Sequence, residues 1–201
     1  LIVGITIDQM RADYLHRFSP YFSDGGFARL VDGGFTMYDH QYGYAPTFTG
    51  PGHASIFTGT TPSVNGIVAN NWYVREDGVT VYCASDSTVL GVGVDGIDQD
   101  GTMYGSAGKM SPARLVTSTV GDELKLATGL NAKVIGVSLK DRGAILPAGH
   151  AADGAYWFYG KDKGHFITST YYGDELPVWA KSFNEKGEAE RLTSLGWDLL
   201  K

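Results

Sequence analysis

At 201 residues, with 43% hydrophobic content and 12 tyrosines beside 9 phenylalanines, the chain can bury one sizeable core, in one domain or slightly more. A net charge of −6 and a pI near 5.2 exclude a general nucleic-acid binder, a role that needs a basic face to displace counterions, so any anion bound here is attracted locally. The single cysteine, Cys83, rules out an internal disulfide and a cysteine-built zinc site, and says little about compartment.

The first element is the apolar run Leu1-Ile2-Val3-Gly4-Ile5-Thr6-Ile7. It is too short to span a bilayer and lacks the basic flank of a signal peptide. Its unbroken apolarity predicts a strand buried on both faces of a parallel sheet, closed by Asp8. Phe27 to Val31 reads as a short helix after Gly25-Gly26, and Phe35 to Tyr42 as an extended segment. Gly52 to Gly59 forms a short helix between glycines, with Thr49 near its N-terminus. Thr80 to Lys109 carries Gly91, Gly93, Gly96, Gly101, Gly105 and Gly108 and reads as an irregular surface excursion, residues 80–109. Ser111-Pro112 opens the clearest helix, with Ser as N-cap, Pro at the first position, Val116, Val120, Leu124 and Ala127 along one face, and Gly129 as its end. Val134 to Leu139 predicts a second buried strand, Ile167 to Tyr172 another strand, and Pro177 to Lys186 a helix with Trp179 and Phe183 on its inner side. Strand, long connection, helix and strand make the grammar of an α/β domain, with no internal repeat.

Asp8 and Lys140 follow the first and second predicted buried strands, the edge at which open α/β sheets bind ligands. In Leu139-Lys140-Asp141-Arg142 an extended backbone sends the two cations to one side, where Arg offers a planar fork and Lys a compact charge to a single anion. The plainer reading is a solvated turn with a local Asp141 ion pair. Thr49, at a helix N-terminus where free backbone N–H groups favour negative charge, is either a cap or a nucleophile that needs a base or a metal to activate it. Asp8 is a hard-oxygen ligand for such a metal, which requires positions 8 and 49 to converge on one ion. His53, His150, His165 and the pair Asp39-His40 read as structural, Cys83 as a small buried hydrophobe, and Trp72 and Tyr73 as core or as a leaving-group wall.

Asp8-Gln9-Met10-Arg11, Tyr44 through His53, Gly66 through Tyr73, and Lys140 through His150, together with Ser111 to Thr128 and Ala155-Tyr156-Trp157, form ordered blocks over nearly the whole chain. In these blocks the sequence resembles bacterial alkaline phosphatases of the phosphate-irrepressible, threonine-nucleophile type, a group in the alkaline phosphatase superfamily close to the nucleotide pyrophosphatase/phosphodiesterases. The resemblance implies an α/β/α sandwich with a mostly parallel central sheet, of which residues 1–201 are an N-terminal portion.

It further implies that Asp8 binds one of two zinc ions, and that Thr49 is the nucleophile that becomes phosphorylated and contacts the same zinc. Asn70 donates to a phosphoryl oxygen, and Lys140 and Arg142 hold the remaining ones. Because the diesterase relatives lack the Lys-x-Arg pair, its presence favours phosphate monoesters, whose extra charge the cations meet. The family's other zinc ligands, including an Asp-His-Gly segment, lie beyond the blocks matched here. Resemblance also implies a periplasmic or secreted address and small-molecule phosphate monoesters as substrates, with no membrane span. Two rival functions are a phosphodiesterase or nucleotide pyrophosphatase on the same scaffold, and a non-catalytic fragment that lacks the downstream ligands.

Overall fold

A computed structural model describes residues 1–93, 106–160 and 164–197, and the chain divides into two units, Leu1–Ala45 and Pro46–Lys201. In the first unit, helix α1 (Asp13–Arg17) is followed by a 3-10 turn at Ser19–Tyr21 and helix α2 (Phe27–Gly33). Tyr14 packs edge-on against Phe18 and Phe22 against Phe27, at ring-centroid distances of 5.4 and 5.2 Å. The helix expected at Phe27 to Val31 is present and runs two residues further. Phe35 to Tyr42 is irregular, with a turn at Tyr38-Asp39, rather than a strand.

Leu1 to Ile7 departs most from expectation. Among the described residues the run belongs to no sheet, and Leu1, Ile2, Val3, Ile5 and Ile7 are all exposed. Strand is a paired state whose N–H and C=O groups must be met by a neighbour. Apolar content selects residues suited to a sheet interior, but a ladder of partners makes the strand.

The second unit holds helix α3 (Thr49–Thr58), helix α4 (Pro62–Asn65), and a hairpin of β1 (Asn71–Val74) with β2 (Val79–Tyr82). After them come β3 (Gly91–Val92), α5 (Val120–Ala127), β4 (Ile135–Ser138), α6 (Asp141–Ala148), β5 (Gly154–Tyr159), β6 (His165–Ser169), α7 (Val178–Glu185) and α8 (Glu188–Ser194). A four-stranded sheet has the order β3-β6-β5-β4. The β4/β5 pair is parallel while β5/β6 and β6/β3 are antiparallel, so among the described residues this α/β sheet is mixed.

Strand β4 is shorter and less buried than the run Val134 to Leu139 suggested. It lies at the sheet edge with one neighbour, and Ile135 and Val137 are 56% and 54% exposed. Its other face meets α6, and glycines on both elements make the approach possible. A Cβ on Gly136 would fall within 2.1 Å of the Ala144 carbonyl oxygen, and one on Gly143 would lie 2.6 Å from Ser138 Oγ. Helix α6 then buries two adjoining sides: Ile145 joins Trp157 and Ile167 over the sheet, while Leu146 joins Ala54 of α3, Ile67 and Cys83. Thus α6 is wedged between the sheet and α3, which fixes where its N-terminus lies.

Two other expectations shift. The helix thought to open at Ser111-Pro112 begins at Val120, nine residues later, because Thr119 and Asp122 form a reciprocal capping box there. Ser111 instead donates to Asp86 and accepts from the Ala113 N–H, closing a single turn. Val116, Val120 and Leu124 are exposed, and α5 buries Asp122 and Lys125. Within the segment expected to be irregular, residues 80–82 belong to β2 and Gly91 and Val92 to β3, while Cys83 and Ala84 are fully buried. Gly96, Gly101 and Gly105 of that segment lie outside the described residues. The C-terminal expectations hold in part: α7 forms as expected, β6 lies two residues earlier and ends at Ser169, with 170–172 in a turn, and Trp179 and Phe183, though partly exposed, pack on Tyr156 and Phe166 at 5.0 and 5.4 Å. No helix among the described residues is long and apolar enough to cross a membrane.

Candidate active site

Helix α3 begins at Thr49, with Phe48 as an extended N-cap, so the hydroxyl-bearing residue is the first helical one. Of the donors that a free helix end would offer, Pro51 supplies none and the Gly50 N–H is already engaged, donating to Asn70 Oδ1 at 2.7 Å. That bond identifies the Asn70 carboxamide atoms, since a backbone N–H can be met only by the oxygen. The Asn70 NH2 group is therefore turned away from Gly50. In effect the carboxamide carries the donor capacity of the helix end outward. Only glycine fits comfortably at position 50: a Cβ would sit 3.0 Å from Asn70 Oδ1 and 3.1 Å from Cys83 Sγ.

Asn70 is set by the hairpin. In the ladder Asn71 faces Tyr82, and the pairing extends one residue further as the Cys83 N–H donates to the Asn70 carbonyl at 2.9 Å. Cys83 is buried beneath Gly50, and burial with the nearby Asp141 charge pushes its thiol up to about 12, so it remains protonated.

On α6, Lys140 is the extended N-cap and Arg142 the second helical residue. This overturns the same-side reading of the Lys-x-Arg pair, since the backbone changes from extended to helical between the two residues and the alternation of a strand does not span the junction. Lys140 is exposed and Arg142 half-buried. Arg142 Nη1 donates to the Tyr82 hydroxyl at 2.8 Å, and Tyr82 in turn donates to Asp141, whose Oδ1 also accepts from the Arg142 N–H. The guanidinium carbon stands 5.8 Å from the Tyr82 ring centroid. Burial would lower the Arg142 pKa, but the bond with Tyr82 and the Asp141 charge hold it above its ordinary value. Burial first, and the Asp141 charge second, drive the Tyr82 pKa far upward, keeping its proton in place.

The structure therefore links Thr49's helix, Asn70 and Arg142 through one hairpin, with Lys140 at the neighbouring helix start. Asp8 stands in a turn in the other unit and is exposed. Among the described residues no group of three or more His, Cys, Asp and Glu side chains assembles a metal site. Zinc takes three or four protein ligands, so these residues alone do not complete one. Three histidines bond to backbone carbonyls: His53 Nδ1 meets that of Thr49 at 2.8 Å, His150 Nε2 that of Leu115 at 2.8 Å, and His165 Nε2 that of Gly93 at 3.1 Å.

Tyr82 was not singled out from sequence. Val79-Thr80-Val81-Tyr82 after Asp77-Gly78 carries the β-branched run and turn dipeptide of a hairpin, and that signal would have found it.

Comparison with known proteins gives a consistent picture. A family model described as type I phosphodiesterase / nucleotide pyrophosphatase matches residues 2–193. The chain is 48% identical over 200 residues to alkaline phosphatase PafA of Elizabethkingia meningoseptica, covering all of this chain and 35% of that protein. It is 44% identical to a Myroides odoratus protein named calcium-transporting ATPase and 46% identical to alkaline phosphatase PhoV of Synechococcus elongatus, covering all of this chain and 35% and 34% of theirs. The crystal structure of wild-type PafA superposes with a TM-score of 0.88 over 96% of this chain and 36% of that one, at 48% identity. Residues 1–201 thus span about a third of the length of these relatives. The chain belongs to the type I phosphodiesterase / nucleotide pyrophosphatase family, and its fold is that of alkaline phosphatase PafA.

Proposed function

We propose that this chain supplies the nucleophile and the phosphoryl-binding side of a zinc-dependent phosphate monoesterase that works through a phosphothreonine. Thr49 Oγ1 forms a bond to phosphorus as the bond to the leaving alcohol breaks, and the hydroxyl proton ends on that alcohol. Water then displaces Thr49 and inorganic phosphate leaves. Asn70 donates through its NH2 group to one nonbridging oxygen, and Lys140 and Arg142 neutralise the others.

The observation that carries this reading is the Gly50 N–H bond to Asn70 Oδ1, which turns two amide donors away from the helix that begins at the nucleophile. Similarity to two proteins named alkaline phosphatase supports it. Thr49 would be an oxygen ligand to zinc in the intact enzyme, and Asp8 would be a further zinc ligand by resemblance, with the second zinc and the remaining ligands outside residues 1–201. Bound zinc would lower the pKa of the Thr49 hydroxyl. A periplasmic or secreted enzyme acting on small phosphate monoesters is the corresponding cellular role.

A brief reaction of the intact enzyme with a 32P-labelled aryl phosphate, quenched in acid, tests the covalent step. Label is expected on the peptide containing Thr49, and label elsewhere in the enzyme or no trapped label under burst conditions would overturn it. The family's name favours a second reading, a diesterase. Turnover of an aryl monoester against its methyl diester separates the two, and a preference for the diester would replace the first with the second.

A further inference from the structure

In the site proposed above, Arg142 is held in an unusual way. It has an acidic neighbour, yet among the described residues the Asp141 and Arg142 side chains make no ion pair. The Tyr82 hydroxyl stands between them, accepting from Arg142 Nη1 at 2.8 Å and donating its one hydrogen to Asp141. A carboxylate placed directly on the guanidinium would hold it equally well but would cancel the charge that an anionic ligand needs. An interposed neutral hydroxyl fixes the fork while leaving its charge uncompensated at contact distance. Burial keeps that hydroxyl protonated, so both bonds persist.

The hairpin adds a second constraint. Tyr82 faces Asn71 in the ladder, and the next pairing step ties Cys83 to Asn70. One rigid hairpin therefore sets both Asn70 directly and Arg142 through a single hydroxyl.

We infer that Tyr82 is a positioning residue: its hydroxyl aims the Arg142 guanidinium at the phosphoryl group and thereby sets the preference for monoesters over diesters. The inference rests on the phosphomonoesterase reading, and goes beyond it by assigning the control of Arg142 to a residue that touches no substrate.

Tyr82→Phe in the intact enzyme removes the hydroxyl and keeps the ring. It is expected to lower monoester kcat/KM about tenfold, less than the ~10²-fold expected for Arg142→Ala, and to leave diester turnover within about twofold of wild type. It is also expected to raise the inhibition constant of inorganic phosphate. In an Arg142→Ala background Tyr82→Phe should add nothing, because it acts only through Arg142. Equal losses on monoester and diester, or a full additional loss in that background, would overturn the inference. Should Tyr82→Phe be too unstable to assay, Asp141→Ala, which removes the acceptor that holds the Tyr82 hydroxyl, carries the same test, with the same selective loss expected and an unselective one decisive against it. The two readings fail differently: if Arg142→Ala itself leaves the monoester-to-diester ratio unchanged, the phosphomonoesterase reading falls and takes this inference with it. A ratio shift with Arg142→Ala but none with Tyr82→Phe sinks the Tyr82 assignment alone.

Discussion

Two polar networks lie side by side in the unit Pro46–Lys201, and they are built to opposite rules. Around α5 both carboxylate oxygens of Asp122 and of Asp153 are met. Asp122 accepts from the Thr119 and Ala151 N–H groups at 2.8 and 2.7 Å, and Asp153 from Lys125, Lys133 and the Val134 N–H at 2.8 to 2.9 Å. Around α3 and α6 the same care goes into holding donors, but capacity is left over. Asn70 is fixed through its oxygen alone, and Arg142 Nε is buried with no hydrogen-bond partner among the described residues. A saturated network has nothing more to offer a ligand and acts on shape. An incomplete one made of positioned donors has its partner still to come.

If that contrast is sound, the two networks separate under mutation. The largest effect is expected from Thr49→Ala in the intact enzyme: monoester turnover falls by about 10³-fold or more, with the stability read from urea unfolding changed by less than about 1 kcal/mol. Near-normal turnover would remove Thr49 from its role. Asp122→Ala should do the reverse. It empties the capping box and orphans the buried Thr119 donor and the half-buried Ala151 one, at a cost of about 3 kcal/mol by denaturant unfolding. The folded fraction should keep its specific activity. A variant of Asp122 that loses activity without losing stability would break the distinction between the two regions.

How much of this could be read in advance depended on whether a feature is local. The α3 helix and its end at Gly59 were legible from the flanking glycines, but it starts at Thr49, three residues before the Gly52 expected, with Phe48 as an N-cap that makes no side-chain bond; α7 was legible because Trp179 and Phe183 repeat at helical spacing. Leu1 to Ile7 was misread because apolar composition cannot say whether partner strands are present. The α5 boundary was misread because Ser111-Pro112 is a competent helix opening in isolation, and the local Thr119-x-x-Asp122 capping box that starts α5 was passed over; Asp122 also accepts from Ala151, 29 residues away. For the site, Asn70, Lys140 and Arg142 were named by resemblance, while what fixes Arg142 was invisible. Tyr82 reaches it across 60 residues of chain, a separation that no window of local pattern spans.

A smaller effect tests the saturated network from the side of pH. Burial alone would raise the Asp153 pKa, but bonds from Lys125, the Val134 N–H and Lys133 outweigh it and hold the carboxyl well below its ordinary range. A group whose folded pKa is depressed contributes stability that is fully present above its unfolded pKa of about 3.9, and that contribution is lost as pH falls through the folded value. The carboxylate keeps Lys125, itself buried, from standing unpaired, so its loss is felt even though Asp153 is partly exposed. Asp153→Asn keeps the shape and removes the charge. At pH 7 it should cost about 1 kcal/mol, since an ion pair near the surface is worth little more. Below about pH 4 the carboxyl takes up its proton in the unfolded chain while the folded one stays ionised, so the stability gap should narrow steadily as pH falls toward the depressed folded value, where the protonated carboxyl resembles the amide. A gap that stays constant from pH 7 down to pH 2 would mean that the Asp153 charge contributes nothing, and that the bonds around α5 are geometric rather than electrostatic in their effect.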